Sequence, residues 1–246
     1  MRNGFPLLLT AAVVFLHVSA PALSASTSWG SVHLQGTGLF LPIPADWQEV
    51  PTSALDQVVS AVRKRAPNAQ VDRPVAAFQK PPLTENELTY PYILVYEFPS
   101  HPLSVSDLKT LARQMSRPGL VDEERKNTSG LINATVPSYS FDKNTSRIKG
   151  AFLLHNDDVG VVAAYAEFLP SSDGLIGLDG YLRESSVEEA QQFYGPMFAA
   201  ARLDATHDYT PTYFTWPRAW SIDWSKVVAT ALVGALLAAL FGRKRT

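Results

Sequence analysis

Apolar positions along the chain recur with two periods, and each change of period marks a new element. Residues 32–42 carry strand residues, broken by a Gly36-Thr37-Gly38 corner ahead of Leu39-Phe40-Leu41. Pro42-Ile43-Pro44-Ala45-Asp46 then forms an extended, proline-stiffened turn that delivers Trp47 to the core. From Ser53 the period lengthens, and Leu55, Val58, Val59 and Val62 fall on one helix face with Ser53 as the cap. Residues 75–79 read as a short strand. Residues 92–98 read as a buried strand, because β-branched and aromatic side chains crowd it. Ser104 caps a second helix whose apolar face holds Val105, Leu108, Leu111, Ala112 and Met115.

After a polar connection over 118–128 the pattern turns to strands. Residues 151–155 and 161–168 are joined across Asn156-Asp157-Asp158-Val159-Gly160, whose Asn, Asp and Gly tolerate hairpin backbone angles. A further strand over 175–183 follows the Ser171-Ser172-Asp173-Gly174 turn. Ser186-Val187-Glu188-Glu189 is a capping box that opens a last helix reaching about Leu203. Gly195-Pro196 is expected to kink that helix or split it. This order predicts an α+β fold, a mainly antiparallel twisted sheet with helices on both faces (an α/β/α sandwich), plus one C-terminal transmembrane helix.

The two ends read differently from the middle. Arg2 precedes an apolar run from Phe5 to Leu16, and small residues follow through Ser19, Ala20, Ala22, Ser24 and Ala25. Residues 1–25 therefore read as a secretory signal peptide, cut between residues 20 and 26. Near the other end, Val227 to Gly242 carries no charge. At 1.5 Å per residue it spans roughly 24 Å, so its flanks must complete a bilayer crossing of roughly 30 Å. Trp216, Trp220 and Trp224 suit the outer interface, and the Lys226 stem can snorkel upward. Arg243, Lys244 and Arg245 form a cationic stop on the cytoplasmic side. The expected organisation is a signal peptide (1–25), a periplasmic domain (27–205), a Pro- and Tyr-rich linker (206–219), a transmembrane helix (220–242) and a basic tail (243–246). That places the chain in a bacterial inner membrane, crossing it once, with its main domain in the periplasm.

Charge and cysteine content narrow the partners. Setting aside Arg2, Lys226, Arg243, Lys244 and Arg245 leaves 16 basic residues against 23 acids, about −7 for the exported part. That disfavours nucleic acid and anionic lipid surfaces, which reward clustered Lys and Arg. The absence of cysteine excludes disulfides, thiolate metal sites and cysteine nucleophiles.

Candidate chemistry is sparse. His33, His101, His155 and His207 occur singly, without a spacing that puts two on one face. The His155-Asn156-Asp157-Asp158 cluster could hold a cation, although a hairpin turn explains the same residues. No Gly-x-Ser-x-Gly elbow occurs, and Gly174 to Gly180 lacks the Lys-Ser/Thr of a phosphate loop. Glu123-Glu124 and Glu188-Glu189 read as solvated loop and helix-start charges. Tyr213, Trp216, Trp220 and Trp224 recur at spacings that align them on one helix face, as a membrane-interface anchor or a docking stripe would.

Two segments resemble a known family. Gly38-Leu-Phe-Leu-Pro-Ile-Pro-Ala-Asp-Trp47 is similar to the opening of PsbP/Mog-like domains, and Gln191-Gln-Phe-Tyr-Gly-Pro-Met-Phe-Ala-Ala-Ala-Arg-Leu203 resembles their last helix. The resemblance spans about residues 30–204. It implies the sandwich fold and an accessory or binding role, since members include a photosystem II extrinsic subunit and a Ran-binding factor. No metal- or partner-binding residue of those branches has a matching motif here.

The expectation is therefore a non-enzymatic module binding a protein partner or envelope component, with the bilayer as its other contact and no cofactor. The alternative is a small-ligand binder or hydrolase using a pocket beside the sheet.

Overall fold

A computed structural model describes residues 29–67, 72–81, 88–127, 133–135, 137–156 and 160–212. The expected signal peptide, transmembrane segment and basic tail lie outside the described residues. Among the described residues, no helix is long and apolar enough to cross a membrane.

The first hairpin forms where the glycine corner predicts it. Strands β1 (Trp29–Leu34) and β2 (Leu39–Pro44) pair antiparallel, His33 opposite Phe40. The turn after β2 buries Trp47, and β3 (Gln48–Glu49) follows. Helix α1 (Thr52–Arg65) buries Leu55, Val58, Val59 and Val62 as the pattern requires. Its cap differs from the expectation. Pro51 stands at the N-cap without a side-chain bond, and Ser53 lies inside the first turn.

Strands β4 (Ala76–Gln79) and β5 (Tyr92–Pro99) lead to helix α2 (Val105–Met115). Ser104 caps α2 reciprocally with Asp107: its hydroxyl takes the Asp107 N–H while the Asp107 carboxylate takes the Ser104 N–H. Residues 118–127, expected as a polar connection, form helix α3 (Pro118–Asn127). Pro118 at its first position carries the φ a helix start needs and no N–H to leave unsatisfied.

Next come β6 (Asn133–Ala134), β7 (Ser138–Asp142), β8 (Arg147–Asn156), β9 (Gly160–Ser171) and β10 (Gly174–Arg183). The β8–β9 hairpin matches the sequence reading, with both strands longer than expected. Helix α4 (Val187–Ala200) has the capping box between Ser186 and Glu189. It runs unbroken through Pro196, so Gly195-Pro196 does not split it. The helix ends at Ala200, before the expected Leu203, because Arg202–Leu203 forms β11 and pairs with β2.

The long sheet runs β3-β4-β5-β10-β9-β8-β6, with β7 also on β8, and a smaller sheet runs β1-β2-β11. The fold is α+β with antiparallel sheets. Side chains alternate between its faces, as a pleated strand dictates. Tyr92, Leu94, Tyr96 and Phe98 of β5 join Phe168 and Tyr181 in one core with α1 and α2. Ile93, Val95, Tyr165, Ile176 and Leu178 join a second core with α4 and β2. Tyr194 of α4 donates to the carbonyls of Tyr181 (2.7 Å) and Tyr92 (3.2 Å), tying that helix to two central strands. Gly180 permits this, because a Cβ there would lie 2.4 Å from the Tyr194 ring.

Candidate functional site

Three turns meet at one end of the long sheet. They are the β1–β2 turn, the β9–β10 turn and the chain leaving β11. Residues 204–212, read from sequence as largely linker, are bonded back onto the domain. The Asp204 N–H donates to Gly38 O (2.8 Å), the Ser172 N–H to His207 O (3.1 Å), and the Val105 N–H to Thr212 O (3.0 Å). The Tyr209 hydroxyl donates to Leu103 O at 2.7 Å. We call this segment the exit strap.

A histidine–carboxylate cluster clasps the strap at its start. Asp204 Oδ1 lies 2.8 Å from His207 Nδ1 and accepts from the Thr206 hydroxyl at 2.7 Å. Its other oxygen, Oδ2, lies 3.6 Å from His33 Nε2. His207 Nε2 faces Asp173 at 4.0 Å. Hydrogen bonds from Thr206 and His207 hold the Asp204 carboxyl well below the usual range. The Asp204 hydrogen bond raises His207, and the charges of Asp204, Asp173 and Glu97 act in the same direction. Gly38 makes room: at φ 65° it has a left-handed backbone, and a Cβ there would fall 2.3 Å from the His207 ring.

The fold thus joins His33 and His207 on one carboxylate, although no local spacing links them. His101 and His155 sit elsewhere, both exposed. Among the described residues no three such groups converge as metal ligands would. What the cluster does chemically is bind a proton and hold the strap. The hydroxyls beside it are committed, since Thr206 donates to Asp204, and Ser172 bonds Asp173 Oδ2 (3.1 Å) and Thr206 O (3.3 Å).

Beyond the clasp, the strap forms one wall of an open cavity of about 410 Å³. Asp208, Tyr209 and Pro211 come from the strap, and Arg202 and Leu203 from β11. Residues 144–147 at the β7–β8 turn, with Leu169 and Pro170 of β9, complete the lining. The volume lies within the range of small-molecule sites.

The two arginines are not equivalent. Arg147 donates to Glu167 (2.7 Å) and to the carbonyls of Phe198 (2.8 Å) and Ala201, so it neutralises a buried acid and caps the C-terminus of α4. Arg202 has no carboxylate partner among the described residues. Its guanidinium lies 4.2 Å from the centre of the Phe40 ring, and His33 stacks on that ring at 4.1 Å and 3°.

Sequence reasoning missed a further polar group in the core. Asp179 on β10 faces the α1–α2 core, 2 % exposed, and its Oδ1 has no hydrogen-bond partner. The nearby Tyr96 hydroxyl is likewise unpartnered. Burial pushes the Asp179 carboxyl up to about 7. The signal was present in the sequence, because Asp179 shares strand parity with the inward-facing Leu175 and Tyr181.

The residues expected at a membrane interface, Trp216, Trp220, Trp224, Lys226, Arg243, Lys244 and Arg245, lie outside the described residues, as do Tyr213, Asp157 and Asp158.

No protein-family model and no curated protein sequence matches the chain. Among solved structures it is similar to cyanobacterial PsbP (CyanoP) from Synechocystis sp. PCC 6803, at 12 % identity over 76 % of this chain and 98 % of that one, with a TM-score of 0.43. It is also similar to a crystal structure from Bacteroides thetaiotaomicron VPI-5482, at 9 % identity over 76 % of this chain and 50 % of that one, with a TM-score of 0.31. One of these solved structures is thus a PsbP. The fold class itself stands on the strand register and the two cores.

Proposed function

We propose that this chain is a non-enzymatic module of sandwich type, tethered in the periplasm by a single transmembrane helix over 220–242 and binding a protein partner or envelope component. The observation that supports it is the path of the exit strap. The chain stays bonded to the domain as far as Thr212, a short distance before the uncharged run that begins at Val227. Residues 213–226 are all that separates the strap from that run, which keeps the domain within reach of membrane-embedded and envelope partners.

Alkaline carbonate extraction of membranes, followed by protease treatment of spheroplasts, tests the tether. The full chain should stay in the membrane pellet, with its domain digested from outside. Release of the full chain by carbonate, or a domain shielded from external protease, overturns this reading. Partner binding is tested by photo-crosslinking from positions 216, 220 and 224 in living cells, where a discrete heavier species is expected. A chain that stays uncrosslinked from all three positions counts against a membrane partner.

The 410 Å³ cavity beside the sheet favours a second reading, a small-ligand role for the same domain. A ligand that occupies it would stabilise the folded state by mass action, so a thermal-shift screen on the full chain reads it directly. A screen in which no compound shifts the transition counts against it.

A further inference from the structure

We infer that strand β1 is an interface between two copies of this chain. It pairs antiparallel with itself about a twofold axis at Ser31, which sets Trp29 of each copy opposite His33 of the other.

A row of unpaired backbone N–H and C=O groups invites a foreign strand, so sheets guard their edges. The long sheet is guarded: it ends in β3 on one side and β6 on the other, each two residues long. Strand β1 is the exception. It runs six residues with β2 on one side, and among the described residues no strand pairs with its other side. Its register with β2 is continuous from Trp29 to Leu34, so no bulge turns the edge away. Its sequence, Trp-Gly-Ser-Val-His-Leu, holds no Lys, Asp, Glu or Pro to discourage pairing.

Side chains select the strand that fits. Trp29, Ser31 and His33 share one face and are exposed, Trp29 at 51 %. On that face His33 stacks on Phe40 at 4.1 Å and 3°, and the Arg202 guanidinium lies 4.2 Å from the centre of the same ring. Arg202 of β11, Phe40 of β2 and His33 of β1 thus form a row across three paired strands, and the row stops at the free edge. A second β1, antiparallel and centred on Ser31, puts an indole opposite His33 twice and continues the row in both copies. A slip of two residues loses both pairs, and a slip of one turns the side chains to the other face.

Charge favours the same contact. The exported part carries about −7, which sets two copies against each other over most of their surface. Strand β1 carries no acid, and across the twofold axis its imidazole meets the electron-rich face of an indole instead of a like charge.

The chain has no cysteine, so Ser31→Cys supplies a single thiol. Opposed residues of an antiparallel pair have Cα atoms roughly 4.5–5.5 Å apart, within the reach of a disulfide. On mild oxidation of the full chain in detergent, S31C should give about tenfold more disulfide-linked dimer than Q35C, which is exposed but lies past the end of β1. Adding W29K to S31C should lower that yield about fivefold, by removing the indole and charging the edge. Sedimentation of the cysteine-free wild type should show a monomer–dimer equilibrium that W29K shifts to monomer, a readout that does not depend on S31C folding. An S31C yield no greater than that of Q35C, a wild type that stays monomeric at every concentration, or a dimer that W29K leaves intact overturns the inference.

Discussion

Two buried carboxyl groups on adjacent strands show how much a partner matters. Glu167 on β9 is fully buried, but it accepts from Arg147 at 2.7 Å and lies 3.4 Å from the Tyr165 hydroxyl. Asp179 on β10 faces the other core, with one oxygen orphaned. Folding therefore favours the protonated form of Asp179, raising it from 3.8 to about 7. A raised carboxyl leaves stability intact below its unfolded value and erodes it as pH climbs toward the folded one. The loss between pH 4 and pH 7 amounts to about 4 kcal/mol at most. Asp179→Asn removes the titration. In urea unfolding it should be more stable than wild type at pH 8, by about 1–3 kcal/mol, with little difference at pH 4. Equal pH slopes for the two proteins would rule out Asp179 as the source. Arg147→Met has the opposite character, since it strands Glu167 in the core. A loss of about 3–5 kcal/mol is expected, with most of it recovered in the Arg147→Met/Glu167→Leu double variant. Urea midpoints of the two single variants and the double one give the comparison, and a double variant no better than Arg147→Met alone would contradict it.

Elements are fixed by local signals except where distant segments complete them. The exit strap is the clearest exception, because its clasp needs groups from three turns. Folding favours charged His207, so that contribution is complete below the ordinary 6.5 and lost as pH rises through the raised value. Asp204 is favoured as a carboxylate, so its share is complete above 3.8 and lost as pH falls toward its depressed value. The clasp should be firmest between about pH 4 and pH 6.5. Hydrogen exchange at the Ser172 amide, bonded to His207 O, reads this directly. After correction for intrinsic rates, protection should fall from pH 6 to pH 8 in wild type and stay flat in His207→Ala. A wild type as flat as the variant would remove the pH dependence. The caps of α2 and α4 and the β8–β9 hairpin were legible in sequence, because each is written in a few neighbouring residues. Helix α3 was not, since its polar residues lack the apolar period that marks an amphipathic helix. The clasp was invisible for another reason. His33, Asp173 and Asp204 become neighbours only when β11 pairs with β2 and the strap crosses the β9–β10 turn.

For the molecule as a whole, the strap's contribution to stability can be tested apart from the proposed tether. Residues 204–212 bond the strap to the domain, and the uncharged run begins at Val227. Truncation should therefore separate the two properties. A chain ending at Ser225 keeps the strap and should unfold at the same temperature as the full chain and, on the proposed tether, leave the membrane pellet without detergent. A chain ending at Leu203 loses the contacts to Gly38, Ser172, Leu103 and Val105. At about 0.5–1.5 kcal/mol net for each hydrogen bond, that sums to about 2–6 kcal/mol. In a domain of this size it lowers the midpoint by about 10 °C. It also removes Asp208, Tyr209 and Pro211 from the cavity lining, so a thermal shift produced by a cavity ligand should be lost in this chain and kept in the longer one. The comparison is decisive in both directions. Equal midpoints for the two truncations would make the strap a passive lead to the membrane. A large loss in the chain ending at Ser225 would mean that residues beyond it, membrane segment included, hold the domain together.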